Sequence, residues 1–126
     1  MIDIKKQIAY WREGSTEDWE VAQELVDLGR TRHGLFFAHL ALEKMLKAHV
    51  CRATGNLAPK IHNLLRLTEL TGLSFSKTHK EFLSRFDIHQ LEGRYPDRLP
   101  KPLKKSKARK ELQAVEEVLQ WLIKQF

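Results

Sequence analysis

Glu43, Lys44 and Lys47 interrupt a helical pattern, beginning at Leu35, that is otherwise apolar on nearly every side. Leu35, Leu42, Leu46, Val50 and Ala53 follow one stripe, Phe36 and Leu40 begin a second, and Phe37 and Ala41 a third. Such a helix belongs between other helices, where charge is costly unless it is paired or used. Glu43 and Lys47 are spaced i,i+4 in the favourable order. A second concentration of charge comes later. Arg94 to Lys110 holds eight basic residues and one acid, a balance of +7, while the rest of the chain sums to −1. Within it, Pro96 restricts Tyr95 to extended backbone. Arg94 offers a planar fork for phosphate or carboxylate, and Tyr95 a ring and a hydroxyl. The chemistry these residues share is recognition of an anion. Lys44, Lys47, Arg94 and Tyr95 are the expected contacts, with Lys101, Lys104 and Lys105 as an outer basic rim. The competing expectation is structural: Arg94 pairs with Asp18 or Glu43 and pins its loop to the bundle.

Six histidines invite catalytic readings. His39 and His49 lie near the stripe of Leu35, Leu42 and Leu46, which suits a packed or partner-facing imidazole. His62 falls where a third helix begins, and a bond or packing contact at that entry is expected of it. No metal-ligand spacing stands out, so no metal and no cofactor are expected. The single Cys51 excludes an internal disulfide and a cysteine-rich metal site, and beside Val50 it reads as a small buried hydrophobe. Glycine-rich phosphate loops, nucleophile elbows and dinucleotide fingerprints are absent.

The elements that must position these residues read as helices throughout. The chain has 126 residues, 42% hydrophobic and 30% charged, enough for one core and one domain over 1–126. The first helix runs from about Ile4 to about Leu28; its uninterrupted phase favours one long helix over a break at Gly14-Ser15, and Gly29 is its left-handed stop. The second spans about His33 to Thr54, and a short third about Ile61 to Leu70. A fourth opens at Ser76 or Lys77 and ends near Gly93. Three of the four prolines then mark an extended loop, and a last helix starts at Ser106 with Leu112, Val115, Leu119 and Leu122 as its buried stripe. The expected fold is all-α, an antiparallel up-and-down bundle of about five helices around a four-helix core. Leu42, Leu46, Phe82, Phe86, Leu119 and Leu122 are its expected core residues. Trp11, Trp19, Phe36, Phe37 and Leu40 crowd more apolar surface into the first 40 residues than a small bundle hides, which predicts a homodimer. Glu13 to Asp27 carries six acids and no base. It opposes the basic segment, within the fold, across a dimer, or by leaving a basic edge for an anionic partner. No run approaches a membrane span and MIDIKKQIAYW lacks a signal peptide's apolar core, so a cytoplasmic location is expected.

The run FFAHLALEKMLKA resembles the signature helix of the HEPN family, an aromatic followed by an A-x-E-K-x-L-K-A core. Pro59, His62 and Leu64 match the family's later Pro-x-x-His-x-Leu segment, and Arg94-Tyr95-Pro96-Asp97 its Arg-Tyr-Pro-Asp segment. The resemblance is to the minimal single-domain HEPN proteins and covers nearly the whole chain. It implies a helical module that dimerises and binds nucleotide, RNA or another anion, often beside a small nucleotidyltransferase. It also implies an alternative, the ribonuclease toxin of a toxin–antitoxin pair, in which the transferase silences the toxin by modifying a tyrosine. Tyr95 is the nearest counterpart here, without the motif around it. Many relatives cleave RNA without metal through an Arg and a His separated by four to six residues. Imidazole shuttles the 2′-hydroxyl proton while guanidinium holds the phosphate. This chain departs from that pattern. Arg85 and His89 have only three residues between them, and Arg32 and His39, with six, fall at the start of the second helix. The reading is therefore a non-catalytic binding module, with a purely structural homodimer as a third possibility.

Overall fold

A computed structural model describes residues 2–91 and 101–126. Arg94 and Tyr95 lie outside the described residues. Five α-helices and one 3-10 segment account for most of the rest, with no strand among the described residues: α1 (Ile4–Asp27), α2 (Thr31–Thr54), α3 (Leu64–Leu70), α4 (Lys77–Phe86), the 3-10 segment Asp87–Leu91, and α5 (Lys105–Lys124).

Local chemistry sets most of the boundaries. Asp3 caps α1 by accepting from the Lys6 N–H at 3.1 Å, and Ser76 caps α4 by accepting from His79 at 3.1 Å. The third helix starts later than Ile61, because Asn63 accepts from the Arg66 N–H at 2.9 Å and makes Leu64 the first helical residue. The fourth does not continue as α-helix towards Gly93; after Phe86 it tightens into the 3-10 segment. Gly29 and Gly55 end α1 and α2 in left-handed backbone, φ 81° and 65°.

The single long helix that the uninterrupted phase predicts is found, with no break at Gly14-Ser15. The α1 helix runs through this pair, because both residues face α2. Ser15 is buried and donates its hydroxyl to the Ala41 carbonyl at 2.7 Å, and a Cβ at Gly14 would meet Lys44 Cδ at 3.1 Å. Gly34 allows the closest approach. A Cβ there would stand 2.5 Å from Val26 Cγ2 and 3.0 Å from the Ala22 carbonyl oxygen.

The α2 helix is the hub. It packs on α1, α3, α5 and the 3-10 segment. Leu35, Leu42, Leu46 and Val50 are buried along its first stripe, whereas Ala53 has run out into solvent at the last turn. Phe82, Phe86, Leu119 and Leu122 complete the core with Leu42 and Leu46.

Candidate anion-binding site

A pocket of about 420 Å³ opens where the start of α2, the end of α4 and the start of α5 meet. Arg32 and Leu35 come from α2, Arg85 from α4, Ile88 and His89 from the 3-10 segment, Lys101 to Leu103 from the chain entering α5, and Lys107, Lys110 and Glu111 from α5 itself. Three attachments hold these walls. Thr31 donates to the Leu103 carbonyl at 2.8 Å, tying the segment before α5 to the first turn of α2. Arg85 Nη1 donates to both oxygens of Glu111 at 2.9 Å, joining α4 to α5, and its guanidinium lies 5.2 Å from the Phe82 ring centroid. Asp87 fixes the 3-10 segment by accepting from His39 Nε2 at 3.0 Å, the Leu64 N–H at 3.0 Å, Asn63 at 3.1 Å and Gln90 at 2.7 Å. Burial alone would raise the Asp87 carboxyl; the bonds from His39 and Leu64 and the His39 charge outweigh it and hold it below the usual range.

The charge of the pocket is one-sided. Among the described residues, the cations Arg32, Arg85, Lys101, Lys107 and Lys110 line the pocket with one carboxylate, Glu111. His89 adds none at neutral pH. Burial, reinforced by repulsion from His39 and Arg85, lowers its pKa to about 4. The pocket also meets the N-terminus of α5, where no side-chain cap is formed and Lys104, Lys105 and Lys107 crowd the positive end of the helix dipole. Leu35, Ile88, Pro102 and Leu103 supply the apolar part of the lining.

The charges of α2 are arranged in the opposite way. Glu43 and Lys47 are each only 5% exposed. Glu43 accepts from Lys47 Nζ at 3.1 Å and from His62 Nδ1 at 3.1 Å, and His39 Nδ1 stands 3.8 Å away. Lys47 also lies 5.2 Å from the Trp11 ring centroid, and Lys44 pairs with Asp18 at 2.8 Å. The anticipated anion contacts are therefore not gathered in one place. Lys101 lines the pocket; Lys104 and Lys105 are exposed beside it at the head of α5; Lys44 and Lys47 are engaged by acids elsewhere. Arg32 lines the pocket, but His39 is 1% exposed and bonded to Asp87, so the two do not face one site. His62, at the entry to α3, bonds to Glu43 of α2, while its neighbour Asn63 forms the cap.

Arg85, Lys107, Lys110, Glu111 and His89 were not singled out as site residues by spacing alone. Lys107, Lys110 and Glu111 do share the i,i+3,i+4 face of one helix. Nothing local signals that this face meets the end of α4.

The molecule is a small all-α helical bundle, and the comparisons give its family. The HEPN domain model matches residues 8–126, and the chain belongs to the HEPN family. The fold is similar to the crystal structure of TT1696 from Thermus thermophilus, at 21% identity over 95% of this chain and 98% of that one, with a TM-score of 0.81. It is also similar to ST0689, an archaeal HEPN homologue, at 18% identity over 99% and 98% of the two chains, with a TM-score of 0.71. No curated protein matches the chain. Among the described residues, no helix is long and apolar enough to cross a membrane.

Proposed function

We propose that this HEPN domain is a non-catalytic module that binds a nucleotide or another anionic ligand in the pocket between α2, α4 and α5. The observation that supports the reading is the charge there: among the described residues, Arg85, Lys101, Lys107 and Lys110 line the pocket with one acid, Glu111, at a helix N-terminus without a side-chain cap. Cations at that end of a helix oppose its dipole by about 0.3–1 kcal/mol each. A bound anion would offset that cost and accept hydrogen bonds from the orphan N–H groups as well. The test is titration calorimetry with ATP, and with a short single-stranded RNA over a range of salt. Binding should weaken with salt, and Lys107→Ala/Lys110→Ala should lower affinity at least about tenfold and reduce the RNA salt slope by about two. Unchanged affinity in that variant would refute the reading.

Two further parts of the proposal rest on other features. Self-association is supported by the half-buried Trp11, Trp19, Phe36, Phe37 and Leu40 along α1 and α2, and a monomer mass at every concentration would exclude it. Partnership with a small nucleotidyltransferase, implied by the family resemblance, is supported by the basic pocket as a complement to a phosphate-handling enzyme. Co-expression and co-purification with the transferase nearest in the genome would test it.

One observation favours ribonuclease activity as a second reading. Arg32, Arg85 and His89 line the same pocket, and a His89 that is neutral at pH 7 can accept a 2′-hydroxyl proton. The described lining holds no second imidazole to protonate the leaving oxygen, which places this reading behind the first. RNA cleavage in the presence of EDTA, abolished separately by Arg85→Ala and His89→Ala, would reverse that order.

A further inference from the structure

Glu111 is the exception in its surroundings. Among the described residues, every other charged side chain on the pocket wall at neutral pH is a cation, yet a carboxylate that is 18% exposed stands among them and takes both of its short bonds from one nitrogen of Arg85. The pairing is not the two-nitrogen fork that makes arginine–carboxylate contacts strong and directional. Its arginine is 61% exposed, so water competes for it and the pair is weak compared with a buried one. A phosphate group carrying two or more charges offers Arg85 a stronger acceptor than one carboxylate does. At the same time, Glu111 repels any anion that enters.

We infer that Glu111 is a built-in counter-anion of the pocket: it occupies Arg85 until a multiply charged ligand displaces it, and so tunes the affinity downwards and selects for high ligand charge. The inference rests on the anion-binding reading above. A simple brace between α4 and α5 would behave differently, because a glutamine at 111 keeps an oxygen for Arg85 while removing the charge.

The experiment uses inorganic tripolyphosphate and inorganic phosphate as probes, by calorimetry at constant ionic strength. Four proteins are compared: wild type, Glu111→Gln, Asp27→Asn and Lys107→Ala/Lys110→Ala. Asp27 pairs with Arg109 at 3.2 Å and does not line the pocket, so its variant controls for net charge. Glu111→Gln should bind tripolyphosphate about tenfold more tightly, because one unit of like charge leaves the lining. It should also narrow the preference for tripolyphosphate over phosphate. Asp27→Asn should change affinity less than about twofold, and both variants should keep a melting temperature close to wild type. Equal or weaker binding in Glu111→Gln, with binding lost in Lys107→Ala/Lys110→Ala, would overturn the inference and leave Glu111 as a brace. An equal gain in Asp27→Asn would overturn it too, as a general charge effect. No binding in either wild type or Glu111→Gln would instead defeat the anion-binding reading itself, and the inference with it.

Discussion

The centre of α2 and the head of α5 use the same side chains to opposite ends. In α2, Glu43 and Lys47 are buried, and each finds a partner: Lys47 and His62 on Glu43, Asp18 on Lys44, and Asp87 on His39. At the head of α5, Lys101, Lys107 and Lys110 gather around a pocket that holds one acid, Glu111, among the described residues. Charge that the fold balances is architecture, because burying it unpaired would cost several kcal/mol. Charge left in excess against a helix dipole lowers stability, and in the proposed reading a bound anion offsets that cost. The contrast also shows why a buried charge is a poor guide to a binding site: the cost of burial has already been met by a partner within the chain.

Removing one half of the balanced set should have the largest effect. Glu43→Ala leaves Lys47 buried without its partner and should destabilise the fold by about 3–5 kcal/mol, measured by urea denaturation. If the protein still folds, its affinity for tripolyphosphate should be unchanged. A loss of affinity at unchanged stability would move the site to α2.

Acid should weaken the network that joins the two regions. The His89 pKa falls in the fold from about 6.5 to about 4, and burial also lowers that of His49. Stability from these groups is fully present above pH 6.5 and is lost as pH falls towards the folded pKa, because the unfolded chain takes up protons first. Asp87 acts in the same direction at lower pH, since its carboxyl is held below the usual range. For His89 the loss between pH 6.5 and 4 amounts to about 3 kcal/mol, and His89→Gln should flatten that limb of the stability–pH curve. A limb of the same steepness in the variant would show that His89 is not its source.

Gly34 tests the close α1–α2 packing on which both regions depend. Gly34→Ala should cost about 1–3 kcal/mol, since its Cβ would meet Val26 Cγ2 at 2.5 Å. A melting temperature equal to wild type would mean that the two helices part without cost.

The smallest effect on stability is expected from the pocket. Lys107→Ala/Lys110→Ala should shift stability by no more than about 0.5 kcal/mol per substitution, or raise it, while anion affinity drops. Both lysines are exposed, and their positive charge stands in the first turns of α5.

Much of the fold was legible in the sequence because helices carry their periodicity with them. The stripes of α2 and α5 run as their residues predict, and Gly29 and Gly55 end helices where glycine should. The Glu43–Lys47 pair was legible too, being four residues apart on one helix. What could not be read is chemistry made by distant parts of the chain. Asp18 reaches Lys44 from another helix, and His39 turns to Asp87, 48 residues on. The pocket brings Arg32, Arg85 and Lys107 together because Thr31 ties the segment before α5 to α2 and Asp87 ties the 3-10 segment to His39 of α2. The charged run leads to the region of the pocket through Lys101, and the neighbouring Lys104 and Lys105 are exposed beside it. Charge density survives folding, whereas contact partners have to be found in space.

The central claim is that ligand recognition belongs to the unbalanced cations and not to the balanced ones. An NMR titration of isotope-labelled protein with tripolyphosphate tests it most directly. Saturable shifts should centre on Arg32, Arg85, the head of α5 from Lys104 to Glu111, and the 3-10 segment, leaving the amides of Lys44 and Lys47 nearly unmoved. Shifts centred on Lys44 and Lys47, with those at Lys107 and Lys110 small, would contradict the account.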